Sequence, residues 1–552
     1  MPVRIRKVLL IGLVLLLTLS SGCSADEVWT DAVFFKEITV DNLIAAVGRT
    51  ATYVVAASDA PALIKAQADI VVVGNADDEI QLAITTVNTS GGGKVYLTEG
   101  LYPISDTINL CSNITLQGAG KHLTKLRLND NTAHTILYLN NVSRITISDI
   151  EIDGNKDNNT WNSGGGYEWG QNGILNRYGG SEIIIRDSYI HDTWTMGIMF
   201  ASTQNSFVVD NIFKNCPLCG LELAGANNTI VKGNLFVDCG QTAAGPSGAQ
   251  AAFESYNMLN SVFSNNILVN SAFYAFLARN GMYNSIVANN IIYGAIVGIT
   301  AQGATDPFSQ NIIEGNVIKA SNTGIKIEGS ATAQYNIISN NLFVPIEIGQ
   351  YFTNYGIELG AQSSYNKIVN NSFHTVRGYV LYLHGTGHNL VANNSIVDCA
   401  WDSSPDAAGI YLESTEQNNK VIGNYIFNST DAMKYGIIEA VGATNNVFEG
   451  NFIQGWATSP ATFEGTNTVV RSNQGYISEN SSKATMVNGN SSLTVNHGLS
   501  ANATAVQLTG THAEVKDCIV TNITSTQFTI TASSNVTANR DIYWRATVGE
   551  GN

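Results

Sequence analysis

A chain of 552 residues with a formal charge of −16 and only 13% charged side chains is long enough for one large core. Its acidic surface excludes nucleic acid and anionic membrane surfaces as natural partners. The 51 glycines and the many small polar residues suit a β protein rich in turns.

Arg4, Arg6 and Lys7 precede an apolar run from Val8 to Leu19 that is too short to span a bilayer. Residues 1–22 therefore read as a secretion signal, and their removal takes the charge three units lower, to about −19. The run ends in Leu-Ser-Ser-Gly-Cys at Leu19–Cys23, which resembles the lipobox of prokaryotic lipoproteins. That resemblance makes Cys23 the lipidated first residue of the mature chain. Ser20 stands where the motif usually carries Leu, and cleavage after Ala25 is the alternative. Both routes predict an extracellular, cell-surface location. Any membrane attachment comes from the lipid alone, since no later stretch is apolar enough to cross.

Residues 26–75 read as a small αβ lead-in, with strands at Tyr53–Ala57 and Asp69–Val73 around a short helix at Asp59–Ala68. Asp77 or Asp78 then caps a helix to about Val87, with Leu82 and Ile84 among its apolar positions.

Residues 76–474 are built on a repeated phrase. NSFVVDNIF, ending at Phe213, recurs as NTIVKGNLF, NSVFSNNIL, NSIVANNII and six further variants. The aligned Asn falls at 211, 234, 266, 290, 316, 341, 371, 394, 424 and 451, in steps of 23 to 32 residues. A near-constant minimum step with tolerated insertions marks a solenoid. Short β-branched runs flank the Asn, and a third run follows as Gly-Ile-x-Leu, for example Gly324–Ile327 and Gly356–Leu359. This is strand periodicity. It predicts an all-β parallel β-helix with three short strands per coil and about twelve coils. The Asn is expected at the bend between strands, in left-handed geometry, with its amide stacked from coil to coil.

The capped helix is followed by GGGKVYLTEGLYPIS at Gly91–Ser105, SNITLQGAG at Ser112–Gly120 and ISDIEIDGN at Ile147–Asn155. Together with the Asn ladder this resembles the pectate-lyase-like β-helix superfamily. The resemblance implies a right-handed helix, a helical plug at its open end, and a carbohydrate groove on the Gly-Ile-x-Leu face. The superfamily also holds lyases, hydrolases, epimerases and proteins without known activity.

The outward position of that third strand carries Glu222 and Glu254 on neighbouring coils, then Lys326, Glu358, Tyr382 and Tyr411; Tyr256, Arg279 and His384 lie two residues further along. Strand spacing puts Glu222 and Glu254 about 5 Å apart. Such a pair suits a glycosidase acid and nucleophile, or a Ca2+ ion, or an ordinary solvated face. Arg279 would neutralise a uronate carboxylate for a lyase. Inserted loops offer Trp161, Tyr167, Trp169 and Trp401 as sugar-binding rings. Beside Tyr256, Lys326 and Glu358, these complete the expected substrate-binding set. A second constellation, Asp153, Asp192 and Asp238 with His191, suits a cation or, more simply, turn capping. Cys216 and Cys239 stack in adjacent coils, as a disulfide or as two buried thiols. No metal is assigned. The Asn-Thr-Asp, Asp-Asp, Gly-His-Gly and Arg-Ile-Lys motifs of inverting polygalacturonases are not intact, and the Asp-Pro-His-Asp motif of alginate epimerases is absent.

Residues 475–484 read as a polar linker, and alternating runs in 485–552 as a small β-sandwich that resembles C-terminal modules of other secreted β-helix proteins. Carbohydrate binding and trimerisation both remain open for it. The expectation is a cell-surface protein acting on or binding polysaccharide, as a lyase or glycoside hydrolase. The alternative is a non-catalytic adhesin or glycan-binding stalk.

Overall fold

The computed structural model describes residues 52–548 apart from 161–169, 242–250, 304–306, 329–331, 345–353, 361, 386, 402–405, 476–478, 500–502 and 525. The signal segment, Cys23, Trp161, Tyr167 and Trp169 thus lie outside the described residues.

Strand Thr52–Ala56 pairs in parallel with Gly93–Leu97 and with Ile70–Val71. The described part of the lead-in, residues 52–75, therefore supplies the first rung of the solenoid. Helix Asp77–Thr89 lies against this rung and buries Ile80, Ala83, Ile84 and Val87, while Leu82 faces solvent at 53% exposure. Asp77 is the first helical residue rather than its cap. Its carboxylate accepts from the Ser105 backbone N–H at 2.7 Å, so it ties the plug to the first coil.

Three strands per coil are observed, as expected. Phe207–Val209, Ile212–Lys214 and Cys219–Ala224 stack on Ile230–Lys232, Leu235–Val237 and Ala251–Leu259, with Phe207 opposite Ile230, Phe213 opposite Phe236 and Glu222 opposite Glu254. The solenoid has about 13 turns. One residue in two points inward, and aromatic rings such as Phe213 and Phe236 stack at 4.7 Å along the interior.

The ladder asparagines form one internal column. Asn316 shows the pattern: its Nδ2 donates to Asn341 Oδ1 at 2.9 Å and to the Val287 carbonyl at 3.0 Å, and its backbone N–H donates to Asn341 Oδ1 at 3.0 Å. Every polar atom of the buried amide is used, which is why the position repeats. The left-handed residue is not the ladder Asn but the one before it: Asp210 (φ 56°), Asn265 (φ 54°), Asn289 (φ 56°) and Asn340 (φ 56°). The αL residue makes the bend, and the next residue turns its amide inward.

A second internal column lies five residues earlier. Ser261, Ser285, Asn311, Asn336 and Asn366 are linked from backbone N–H to the next side-chain oxygen at 3.0–3.1 Å.

At the C-terminus two three-stranded antiparallel sheets pack as the expected sandwich. The stretch taken for a linker supplies one of its strands. Glu479–Met486 pairs with Arg540–Thr547, and its solvent-exposed Glu, Ser and Lys side chains disguise it in the sequence. Among the described residues no helix is long and apolar enough to cross a membrane. Cys216 and Cys239 are free and buried, so the thiol alternative is the one observed.

Candidate functional site

The outward column of the third strand keeps the expected register. Glu222 lies opposite Glu254, Lys326 opposite Glu358, and Glu358 opposite Tyr382, which lies opposite Tyr411. Its two halves differ in environment.

In the first half Glu222 and Glu254 are buried, at 5% and 2% exposure, rather than on an open face. Met199, next to Glu222 in the column, joins Leu175, Met196, Leu218 and Cys219 in an apolar cluster outside the barrel. That cluster removes water from the carboxylates. Cys219, which the sequence reading missed, donates its thiol to Glu254 Oε2 at 3.2 Å. Arg279 Nε lies 2.9 Å from Glu254 Oε1, with its guanidinium 5.4 Å from the Tyr256 ring centre. Arg279 and Tyr256 thus close on Glu254 instead of waiting for a substrate. Burial pushes the Glu254 carboxyl up, outweighing the opposing pull of Arg279, Cys219 and Tyr256. Burial likewise holds the Cys219 thiol well above its ordinary range. The ligand atoms of Cys219, Glu222 and Glu254 lie within 4.8 Å of one another. A thiol, two carboxylates and a guanidinium already facing one of them do not fit Ca2+, which takes six to eight oxygens.

The second half is more chemically varied, with half-buried rings and cations around Glu358, which is as buried as Glu222 at 6% exposure. Glu358 Oε1 meets His384 Nε2 at 3.2 Å and Glu358 Oε2 meets Lys326 Nζ at 3.6 Å; Lys326 also reaches Glu328 at 2.7 Å. Beside them stand half-buried tyrosines. Tyr382 lies 4.8 Å from His384, 5.2 Å from Tyr355 and from Tyr379, and 5.5 Å from Tyr411. The Tyr382 hydroxyl donates to Glu413 Oε1 at 2.9 Å. The hydrogen bond to Glu358 raises the His384 pKa, against burial. Burial and the Glu413 carboxylate raise the Tyr382 phenol, which keeps its proton. Tyr379 and Glu413 are absent from the sequence-derived site. Their signal was present in part: Tyr355 and Tyr379 occupy the same position two coils running. Trp401 is 36% exposed with the Arg377 guanidinium 5.6 Å from its ring centre.

The second constellation is corrected by one residue. Asp149 is the left-handed residue of its coil (φ 61°), and the buried ladder position is Ile150, so Asp153 pairs with His191 and not with Asp192. Asp192, Asn215, Asp238 and Asn270 do share one column of left-handed turn residues, as the turn-capping reading expects. Asp153 instead joins an ion network. Lys125 contacts Glu151 at 2.9 Å and Asp153 at 2.7 Å, while His191 bridges Glu151 at 3.1 Å and Asp192 at 2.6 Å. Burial pulls the imidazole pKa down, but the hydrogen bonds to Asp192 and Glu151 outweigh it and carry the value to about 9. This stabilisation is complete below the unfolded value of about 6.5 and is lost as pH rises through about 9. A loss of ~2–3 kcal/mol across that window is expected. A thermal-melt series should show it for the native chain and a flatter profile for His191→Gln; equal slopes would refute it.

Residues 112–292 and 280–453 match the family described as the right handed beta helix region. The chain belongs to that family. Mannuronan C5-epimerase AlgE3 of Azotobacter vinelandii is 30% identical over 179 residues, which is 26% of this chain and 10% of that protein. AlgE5 of the same organism is 28% identical over 26% of this chain and 18% of its own length. The chain thus spans 10–32% of the length of the epimerases it matches. Among solved structures, a mutant tailspike protein of Escherichia coli bacteriophage HK620 in complex with a pentasaccharide shares the fold, with a TM-score of 0.50 at 13% identity, covering 93% of this chain and 97% of that one.

Proposed function

We propose that this β-helix binds an acidic polysaccharide across coils carrying Lys326 to Tyr411 and removes the proton next to a uronate carboxylate. The observation that carries the reading is one face on which Lys326 and His384 flank Glu358 beside four tyrosine rings. A uronate carboxylate laid against these two cations has its charge offset, which acidifies the neighbouring C–H. Glu413, half-buried beside the column, is the candidate proton acceptor, the buried Glu358 holds the two cations in place, and the neutral Tyr382 phenol is the candidate donor. The tyrosine edges and hydroxyls suit sugar hydroxyls and C–H surfaces.

The similarity to mannuronan C5-epimerases supports a uronan as the substrate class. Reprotonation of the carbanion inverts C5; expulsion of the O4 substituent cleaves the chain. Both outcomes begin with the same step. A glycoside hydrolase is less well supported, because Glu222 and Glu254 are buried and Glu254 is engaged by Cys219 and Arg279.

Incubation with mannuronan, polygalacturonate and a neutral β-glucan in D2O tests the reading. Deuterium at C5, or absorbance from unsaturated product, is expected with a uronan alone. Retention of a uronan without either signal would favour the adhesin, and no effect on any uronan would end the enzymatic reading.

The Leu19–Cys23 sequence supports an extracellular, lipid-anchored location. Cys23→Ser is expected to shift the protein from the membrane fraction to the soluble one. Unchanged membrane retention of that variant would reject the anchor.

A further inference from the structure

Away from the proposed groove, the bend that leads into the strand before the ladder Asn carries an unusual run of residues. In most coils it is occupied by Asn in left-handed geometry, as at Asn228 (φ 53°), Asn260 (φ 45°), Asn284 (φ 53°), Asn418 (φ 56°) and Asn445 (φ 57°). Asn tolerates this conformation at low cost. In three consecutive coils the residue is instead Tyr335 (φ 58°), Tyr365 (φ 58°) and His388 (φ 61°). Large side chains also take this bend at Arg144 (φ 59°), Glu182 (φ 57°) and Gln310 (φ 59°), but Tyr335, Tyr365 and His388 are consecutive and carry rings.

The three rings are exposed, with Tyr335 at 45% and Tyr365 at 44%. They bury no core surface. They form a ladder with centres 5.3 Å and 4.8 Å apart and planes 15° and 11° from parallel. A small extra sheet seats them: Ala333 pairs with Ser363 and Gln334 with Ser364, immediately before Tyr335 and Tyr365. The Gln334 amide donates to Ser364 Oγ at 3.0 Å, which fixes one coil on the next. The ladder is therefore rigid before any ligand arrives. Beside it, Lys367 and Lys420 point outward and exposed, two rungs or about 10 Å apart, on a chain whose formal charge is −16.

We infer that the Tyr335–Tyr365–His388 ladder is a second polysaccharide-binding site, which holds an acidic glycan by its ring edges and hydroxyls and by the Lys367 and Lys420 ammonium groups. It gives the substrate a second point of attachment, at the next bend of the coils that carry the proposed reacting face. The inference rests on the reading that the protein binds a uronan.

The test replaces both tyrosines with Asn, the residue that most coils use there. Tyr335→Asn/Tyr365→Asn removes the rings while easing the backbone, so its melting temperature is expected to be equal to or above that of the native chain. Affinity electrophoresis in gels containing mannuronan or polygalacturonate is expected to show at least tenfold weaker retention for this variant. Lys367→Ala is expected to weaken retention less, and to lower its salt dependence. Turnover of a short uronate oligomer, too short to reach both sites, should be unchanged. A lower melting temperature with native retention would make the ladder a structural stack and overturn the inference. Native retention at unchanged melting temperature would overturn it too. A native chain that binds neither uronan would reject the polysaccharide reading itself, which separates the two failures.

Discussion

Replacing Asn316 with alanine is expected to be among the most damaging single changes in the solenoid. The substitution removes an acceptor used by the Asn290 backbone N–H at 2.9 Å and by Asn290 Nδ2 at 3.0 Å, and a donor used by the Val287 carbonyl and by Asn341 Oδ1. All of these groups are buried. Each orphaned buried group costs about 1–3 kcal/mol, so a total of about 4–6 kcal/mol is expected after partial relaxation. Because coils contact mainly their neighbours, the damage should be local before it is global. Hydrogen exchange should accelerate at Asn290, Asn316 and Asn341 while the C-terminal sandwich keeps its protection. Lys232→Ala, at an exposed position, is the control and should stay within about 0.5 kcal/mol. Equal melting temperatures for the two variants would show that the amide column does not stabilise the fold.

The same column explains what could be read from the sequence. A buried amide whose every atom is engaged is costly to replace, so the run from Asn211 to Asn451 reveals the register of the strands around it. Glu222 opposite Glu254 and Lys326 opposite Glu358 followed from that register alone. Where the chemistry tolerates substitutes, the pattern faded. The second column uses Ser261 and Ser285 before it uses Asn311 and Asn336, because a serine hydroxyl also accepts the next backbone N–H. In the coil of Asp149 no Asn occupies the ladder position, and the αL Asp stood in for it, which displaced Asp153 by one residue. Outward positions are harder again. Alternation says that Glu222 points away from the barrel; that it is nevertheless buried follows from packing outside the barrel, where Met199 lies next to it. The edge strand Glu479–Met486 was hidden for a related reason, since a mostly solvated strand carries little apolar alternation.

That contrast between the two halves of one column leads to the sharpest functional expectation. If the reacting carboxylate of a uronate sits against Lys326 and His384, Lys326→Ala should lower kcat/KM on the responsive uronan about 100-fold, which is about 2.7 kcal/mol of lost transition-state stabilisation. Lys326→Arg should recover part of it, because a cation remains although its geometry differs. His384 has its pKa raised by Glu358, so it stays charged above the ordinary imidazole range. Activity should therefore fall on a limb displaced to higher pH, and His384→Gln should remove that limb along with much of the rate. Tyr382→Phe tests the donor; it breaks the contact to Glu413 without disturbing the ring stack. Glu222→Gln, by contrast, should leave kcat/KM within a few-fold, since Glu222 is buried beside an apolar cluster. A large loss in Glu222→Gln at unchanged melting temperature, with Lys326→Ala near native, would move the chemistry four coils back along the helix, to the carboxylate pair that the structure buries.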